Sequence, residues 1–123
     1  MSRKGPVFAT AIVAGVMGAK RTSSIIPFCH HISLDKCDIK IALVDQAITQ
    51  DSTCIDLKID CIVSTYHKTG VEMEALVGAS TTALCIYDIL KAISHNMVIK
   101  DTRLISKTGG KSDYNTNNTS DIA

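Results

Sequence analysis

Two carboxylates, a lysine and a threonine–glycine corner crowd the run Lys68-Thr69-Gly70-Val71-Glu72-Met73-Glu74-Ala75-Leu76. The run lies where a strand-like stretch hands over to the longest helix-like stretch of the chain. A helix start points unpaired N–H groups and the positive end of its dipole outward, so it can hold an anion. Glutamates in the first turn can equally serve to complement that dipole. A turn there needs the glycine, but it does not need so much charge.

Asp88 and Lys91 lie three residues apart and share a helix face. On a surface such a pair is worth little. The flanking Leu84, Ile86, Ile89, Leu90 and Ile93 make this helix apolar nearly all round, which predicts a buried setting. There a carboxylate could orient the lysine and set its pKa for acid–base work, for which a lowered value is apt. His30 and His31 follow Pro27. Adjacent residues on an extended chain point opposite ways, and no third ligand has suitable spacing, so no protein metal site is expected. Basic residues fall at element ends: Lys4, Lys20, Arg21, Lys68, Lys107 and Lys111. Gly109-Gly110, between two of them, is a flexible loop that could let backbone N–H groups approach a phosphate. It lacks the spacing and following helix of a Walker loop.

One distance matters. Glu74 and Asp88 are fourteen residues apart, roughly 21 Å along a single helix. If both serve one compact substrate, the substrate is long, the helix bends, or two subunits build each site.

The elements that must position these groups follow from periodicity. Gly5-Pro6 opens a small-residue helix over residues 7–24, with Ala11, Ala14, Gly15, Gly18 and Ala19 suited to close packing. Pro27 then forces an extended or turned chain. Residues 36–46 alternate, with Cys37, Ile39, Ile41 and Leu43 on one face and Asp38 and Lys40 on the other. Residues 53–65 alternate again, with Ile55, Leu57, Ile59, Cys61 and Val63 inward. A turn at Gln50-Asp51-Ser52 makes the two an antiparallel hairpin. A long helix over 70–95, with a break near Gly78, precedes a last strand over 97–107. A polar, disordered tail is expected over 113–123. The order is α-β-β-α-β. One further strand in front would give the split βαβ, ferredoxin-like α+β fold, and without it a sheet edge stands open to another chain.

The chain of 123 residues makes one domain, over residues 1–112. A net charge of +1, 4% aromatic residues and no tryptophan argue against a nucleic-acid partner. The longest apolar stretches carry charges or polar breaks, so no membrane span is expected. Five cysteines with no CxxC pair suggest neither a zinc knuckle nor a disulfide framework. Cys37, Cys54, Cys61 and Cys85 read as small buried hydrophobes in a reducing compartment.

Taken in order, Lys4-Gly5, Ala19-Lys20-Arg21-Thr22, Ile26-Pro27-Phe28-Cys29-His30, the Lys68–Leu76 run, Ile86-Tyr87-Asp88-Ile89-Leu90-Lys91-Ala92 and Lys107-Thr108-Gly109-Gly110-Lys111 resemble cyclic pyranopterin monophosphate synthase, the MoaC family of molybdenum cofactor biosynthesis. The resemblance spans roughly residues 3–112 and implies a ferredoxin-like fold. It implies a lyase that converts 3′,8-cyclised dihydro-GTP to cyclic pyranopterin monophosphate with release of pyrophosphate. It also implies a homohexamer, a trimer of dimers, with active sites at a subunit interface. Asp88, Lys91 and Lys4 match catalytic positions. Phe28, Cys29, His30, Glu72, Met73 and Glu74 match substrate-binding ones, and Lys20, Lys107 and Lys111 match basic positions that face the substrate. No protein-bound cofactor is implied, and a magnesium ion on the substrate phosphates is compatible. The upstream radical cyclase is a candidate partner. Such a chain is expected to be intracellular and soluble, in the cytoplasm or, in a eukaryote, the mitochondrial matrix. Family members carry a first strand and an arginine ahead of Lys4, and His31 stands where many bacterial members have proline. The alternative is a truncated, inactive subunit that acts only as an assembly partner.

Overall fold

The computed structural model describes residues 6–44, 55–66 and 69–109, with the backbone of residues 114 and 115. The first helix, α1, runs Val7–Lys20. Pro6 precedes it, and the Pro6 carbonyl accepts the Thr10 N–H at 3.0 Å. The expected single helix over 7–24 breaks at Arg21, whose N–H is shared between the Met17 and Gly18 carbonyls at 3.1 Å each. The buried Thr22 hydroxyl donates to the Ala19 carbonyl at 2.9 Å and the Gly18 carbonyl at 3.2 Å. These bonds occupy carbonyls that would otherwise continue the helix. A separate turn, α2, follows at Thr22–Ile25.

Strands β1 (Lys36–Val44) and β2 (Asp56–Ser64) pair antiparallel, with Lys36 opposite Ser64 and Val44 opposite Asp56. The expected alternation holds where it meets the helices: Ile39 is buried, and Cys37, Ile41, Leu57, Ile59, Cys61 and Val63 are half-buried. Leu43 and Ile55, at the end of the hairpin where the two strands are connected, stay exposed. Lys40 and Lys58 are exposed on the opposite face and pair loosely with Asp38 and Asp60 on their own strands. The expected turn at residues 50–52 lies outside the described residues.

The long helix α3 runs Glu72–Leu90, shorter at both ends than the expected 70–95. It passes through Gly78 without a break. The glycine is a point of close approach. Glu74, Gly78, Thr82, Ile86 and Ile89 form the buried stripe, which meets Ala11, Gly15, Gly18 and Ala19 of α1. A Cβ on Gly15 would collide with the Thr82 hydroxyl and stand 2.9 Å from the Gly78 carbonyl oxygen. A Cβ on Gly78 would stand 2.7 Å from the Cys61 sulfur and 3.2 Å from the Ala19 methyl. The helices therefore meet nearly backbone to backbone. Gly15→Ala is expected to cost about 1–3 kcal/mol from overpacking, despite the roughly 1 kcal/mol that alanine gains in helix propensity. A thermal melt at or above that of the parent chain would refute this close approach. By length and composition α3 could cross a membrane. Its packed stripe against α1 and β2 is also what a core helix has.

The last expected strand shrinks. Among the described residues, the strand is Ser106–Lys107 (β3), paired with Tyr114–Asn115 (β4). Asp101 takes a left-handed φ of 60°, tolerated by aspartate, and interrupts the extended chain midway. The Arg103 guanidinium folds back onto the Asp101 carboxylate. Val98, Ile99 and Ile105, in the segment expected as the last strand, are exposed. β4 falls inside the polar segment expected to be disordered, and the rest of that segment lies outside the described residues. The chain is thus α+β and ferredoxin-like, with two helices packed on one face of an antiparallel hairpin.

Candidate functional site

Glu72 and Glu74 occupy the first turn of α3. Glu74 is only 3% exposed, an unusual place for a carboxylate. Its Oε2 accepts a weak hydrogen bond from the Cys29 thiol at 3.9 Å. Cys29 arrives from the loop after α2, where its N–H bonds the Ile26 carbonyl at 3.3 Å. Burial, then the Glu74 and Glu72 carboxylates, push the Cys29 thiol above its ordinary range. The group therefore stays protonated and donates. From the far end of the chain, Lys107 on β3 brings Nζ within 3.8 Å of Glu72 Oε1. The other oxygen of that carboxylate, Oε2, is buried without a hydrogen-bond partner among the described residues. Buried acceptors of this kind call for an explanation, and a ligand donor is one. Met73 lies half-buried in the same turn.

Phe28 and His30 flank Cys29 and are exposed. Phe28 has a left-handed φ of 66° and a wholly exposed ring. A bulky residue rarely adopts that backbone. Strain of this sort persists where something other than stability holds it. Phe28→Asn, which suits the backbone and sacrifices no packing in this chain, is expected to leave stability unchanged or raise it by about 0.5–1 kcal/mol. Ligand affinity is expected to fall. Melting curves and a binding titration check the two parts separately.

Asp88 and Lys91 stand at the other end of α3, joined by a 2.7 Å hydrogen bond from Nζ to Oδ1. The expected burial is not found, since the two side chains are 52% and 50% exposed. Leu84 and Ile93, two of the apolar neighbours that suggested it, are themselves exposed. The expected lowering of the Lys91 pKa is likewise reversed. The hydrogen bond to Asp88, then the Asp88 charge, raise it above the ordinary lysine range, because burial does little to oppose them. Lys91 is therefore protonated at neutral pH.

Lys20 is exposed at the end of α1. Its charge reaches Cys37, whose thiol is nonetheless raised by burial. Cys61, also raised by burial, is pushed up to about 12. Cys37, Cys61 and Cys85 are half-buried rather than buried. Cys54, Lys4, Lys68 and Lys111 lie outside the described residues. Among the described residues, no three His, Cys, Asp or Glu side chains converge as metal ligands.

The structure thus brings together Cys29, Glu72, Glu74 and Lys107, and leaves Asp88 with Lys91 as a separate pair. The burial of Glu74 has a signal in the sequence. Glu74, Gly78, Thr82 and Ile86 recur every four residues, so the glutamate continues the stripe that faces α1.

A thiol, two carboxylates and a lysine gathered at one helix start, on a hairpin covered by two helices, define a small α+β domain with a polar site at one end of its longest helix. The chain belongs to the MoaC family, whose model matches residues 1–110. It is 56% identical over 112 residues to "Molybdenum cofactor biosynthesis protein 1" of Dictyostelium discoideum, covering 91% of this chain and 16% of that protein. It is 49% identical over 111 residues to the "Molybdenum cofactor biosynthesis bifunctional protein" of Synechocystis, covering 90% and 31%. It is 48% identical over 112 residues to the "Cyclic pyranopterin monophosphate synthase" of Xanthomonas oryzae, covering 91% and 63%. The chain therefore spans from about a sixth to under two thirds of the length of these relatives.

Proposed function

We propose that this chain is a cyclic pyranopterin monophosphate synthase of molybdenum cofactor biosynthesis. It would convert 3′,8-cyclised dihydro-GTP to cyclic pyranopterin monophosphate and release pyrophosphate. The observation that carries the reading is the site at the start of α3. There a buried carboxylate, a second carboxylate with an orphaned oxygen, a protonated thiol and a lysine meet. The name carried by the Xanthomonas relative supports it.

In this reading Glu72 and Glu74 accept hydrogen bonds from N–H and O–H groups of the substrate. Cys29, His30, Phe28 and Met73 line its approach. Lys107, with Lys20, Lys4 and Lys111, offsets the charge of the triphosphate and of the departing pyrophosphate. Lys91, kept protonated by Asp88, supplies a proton to the reacting ring system or its leaving oxygen. A magnesium ion, if it takes part, travels on the substrate phosphates.

The separation of the two ends of α3 supports a site shared with a second copy of the chain. Glu74 and Asp88 lie on one unbroken helix, roughly 21 Å apart along its axis. A compact substrate reaches both only if they come from different subunits, as in a homohexamer with interface sites. An intracellular, reducing location agrees with the free cysteines. The test is incubation of the purified chain with the cyclised nucleotide, followed by measurement of pyrophosphate and pterin product. Absence of both at every enzyme concentration would end this reading.

A further inference from the structure

Gly70 has no backbone reason to be glycine. Among the described glycines only Gly109 has a positive φ, so the turn before α3 does not demand one. What the position demands is room. The Glu72 side chain folds back across residue 70, and a Cβ there would stand 3.3 Å from the carboxyl carbon and 3.5 Å from Oε1, with Oε2 closer still. That folded-back position sets Oε1 3.8 Å from Lys107 Nζ and buries Oε2 without a hydrogen-bond partner among the described residues.

We propose that Gly70 is a positioning residue, whose missing side chain lets the Glu72 carboxylate lie against the start of α3 and hold Lys107 beside the site. Its effect on turnover rests on the synthase reading above, whereas its effect on Glu72 rests on geometry alone. A methyl group at residue 70 meets the far end of a flexible side chain. Glu72 therefore swings away while the backbone stays as it is. Loss of one charge-assisted contact predicts a fall in kcat/KM of about 10- to 100-fold for Gly70→Ala. The melting temperature is expected to hold or rise, because alanine restricts the unfolded chain.

The experiment has two arms. A crystal structure of Gly70→Ala is expected to show Glu72 displaced, with its carboxylate beyond the roughly 4 Å limit of an ion pair with Lys107. A carboxylate still folded over residue 70 would overturn the proposal. In the kinetic arm, Gly70→Ala, Glu72→Gln and the double variant are compared. If the glycine acts through Glu72, the double variant is no worse than Glu72→Gln alone. Multiplying losses would mean a separate structural role and would also overturn it. If the parent chain shows no turnover, the synthase reading fails and the crystallographic arm still decides the role of Gly70.

Discussion

Subunits carrying Asp88→Asn, assembled together with subunits carrying Glu74→Gln, are expected to regain roughly a quarter of wild-type activity in an equal random mixture, although neither variant works alone. Each single substitution is expected to lower kcat by about 10²- to 10⁴-fold, the range for loss of a proton-transfer or electrostatic group. The recovery follows from the geometry of α3. Its nineteen residues run without interruption from Glu72 to Leu90, so the two carboxylates cannot close on one another. If one site takes Glu74 from one subunit and Asp88 from its neighbour, mixed assemblies contain some sites with both intact. Co-expression of differently tagged chains, tandem purification and the product assay measure it. Mixed oligomers that remain inactive would exclude a shared site.

Asp88→Asn is also expected to move the alkaline limb of the kcat/KM profile to lower pH. Asp88 holds the Lys91 pKa above the ordinary lysine range through a hydrogen bond and its charge. Asparagine keeps an acceptor but removes the charge, so the ammonium loses its proton sooner as pH rises. The sign for stability follows the same pair. A raised folded pKa contributes stability below the ordinary lysine range, and that contribution is lost as pH rises through the raised value. Both side chains are half exposed, so water screens the pair and the melting temperature at neutral pH should hardly change. A rate profile identical to that of the parent would remove Lys91 from the proton-donor role.

The hairpin and the two helices were legible in the sequence because alternation and small-residue spacing are local signals. Cys37, Ile39 and Ile41 alternate with Asp38 and Lys40, and the structure keeps that sidedness. The last strand was not legible, because two short apolar clusters, Val98-Ile99 and Leu104-Ile105, are divided by a left-handed turn at Asp101 that no local pattern announces. At the site, the crowding of Glu72 and Glu74 was visible. The approach of Lys107, thirty-five positions beyond Glu72, was not, since no local pattern encodes that contact. Asp88 and Lys91 show the opposite error. Their apolar neighbours suggested burial, but Leu84 and Ile93 point to solvent in this chain. Composition reports which residues prefer the interior, and packing decides which of them reach it.

The seam of glycine, alanine and threonine between α1 and α3 carries one more consequence. Among the described residues, the largest fully buried side chains are Thr22 and Thr82, and the buried apolar residues are two alanines and three isoleucines. So spare an interior leaves an isolated subunit little cohesive reserve of its own. If the exposed apolar side chains of both helices are covered by further copies, folding and assembly share one equilibrium. The melting temperature then depends on how much protein is in the tube, and dilution alone becomes a denaturant.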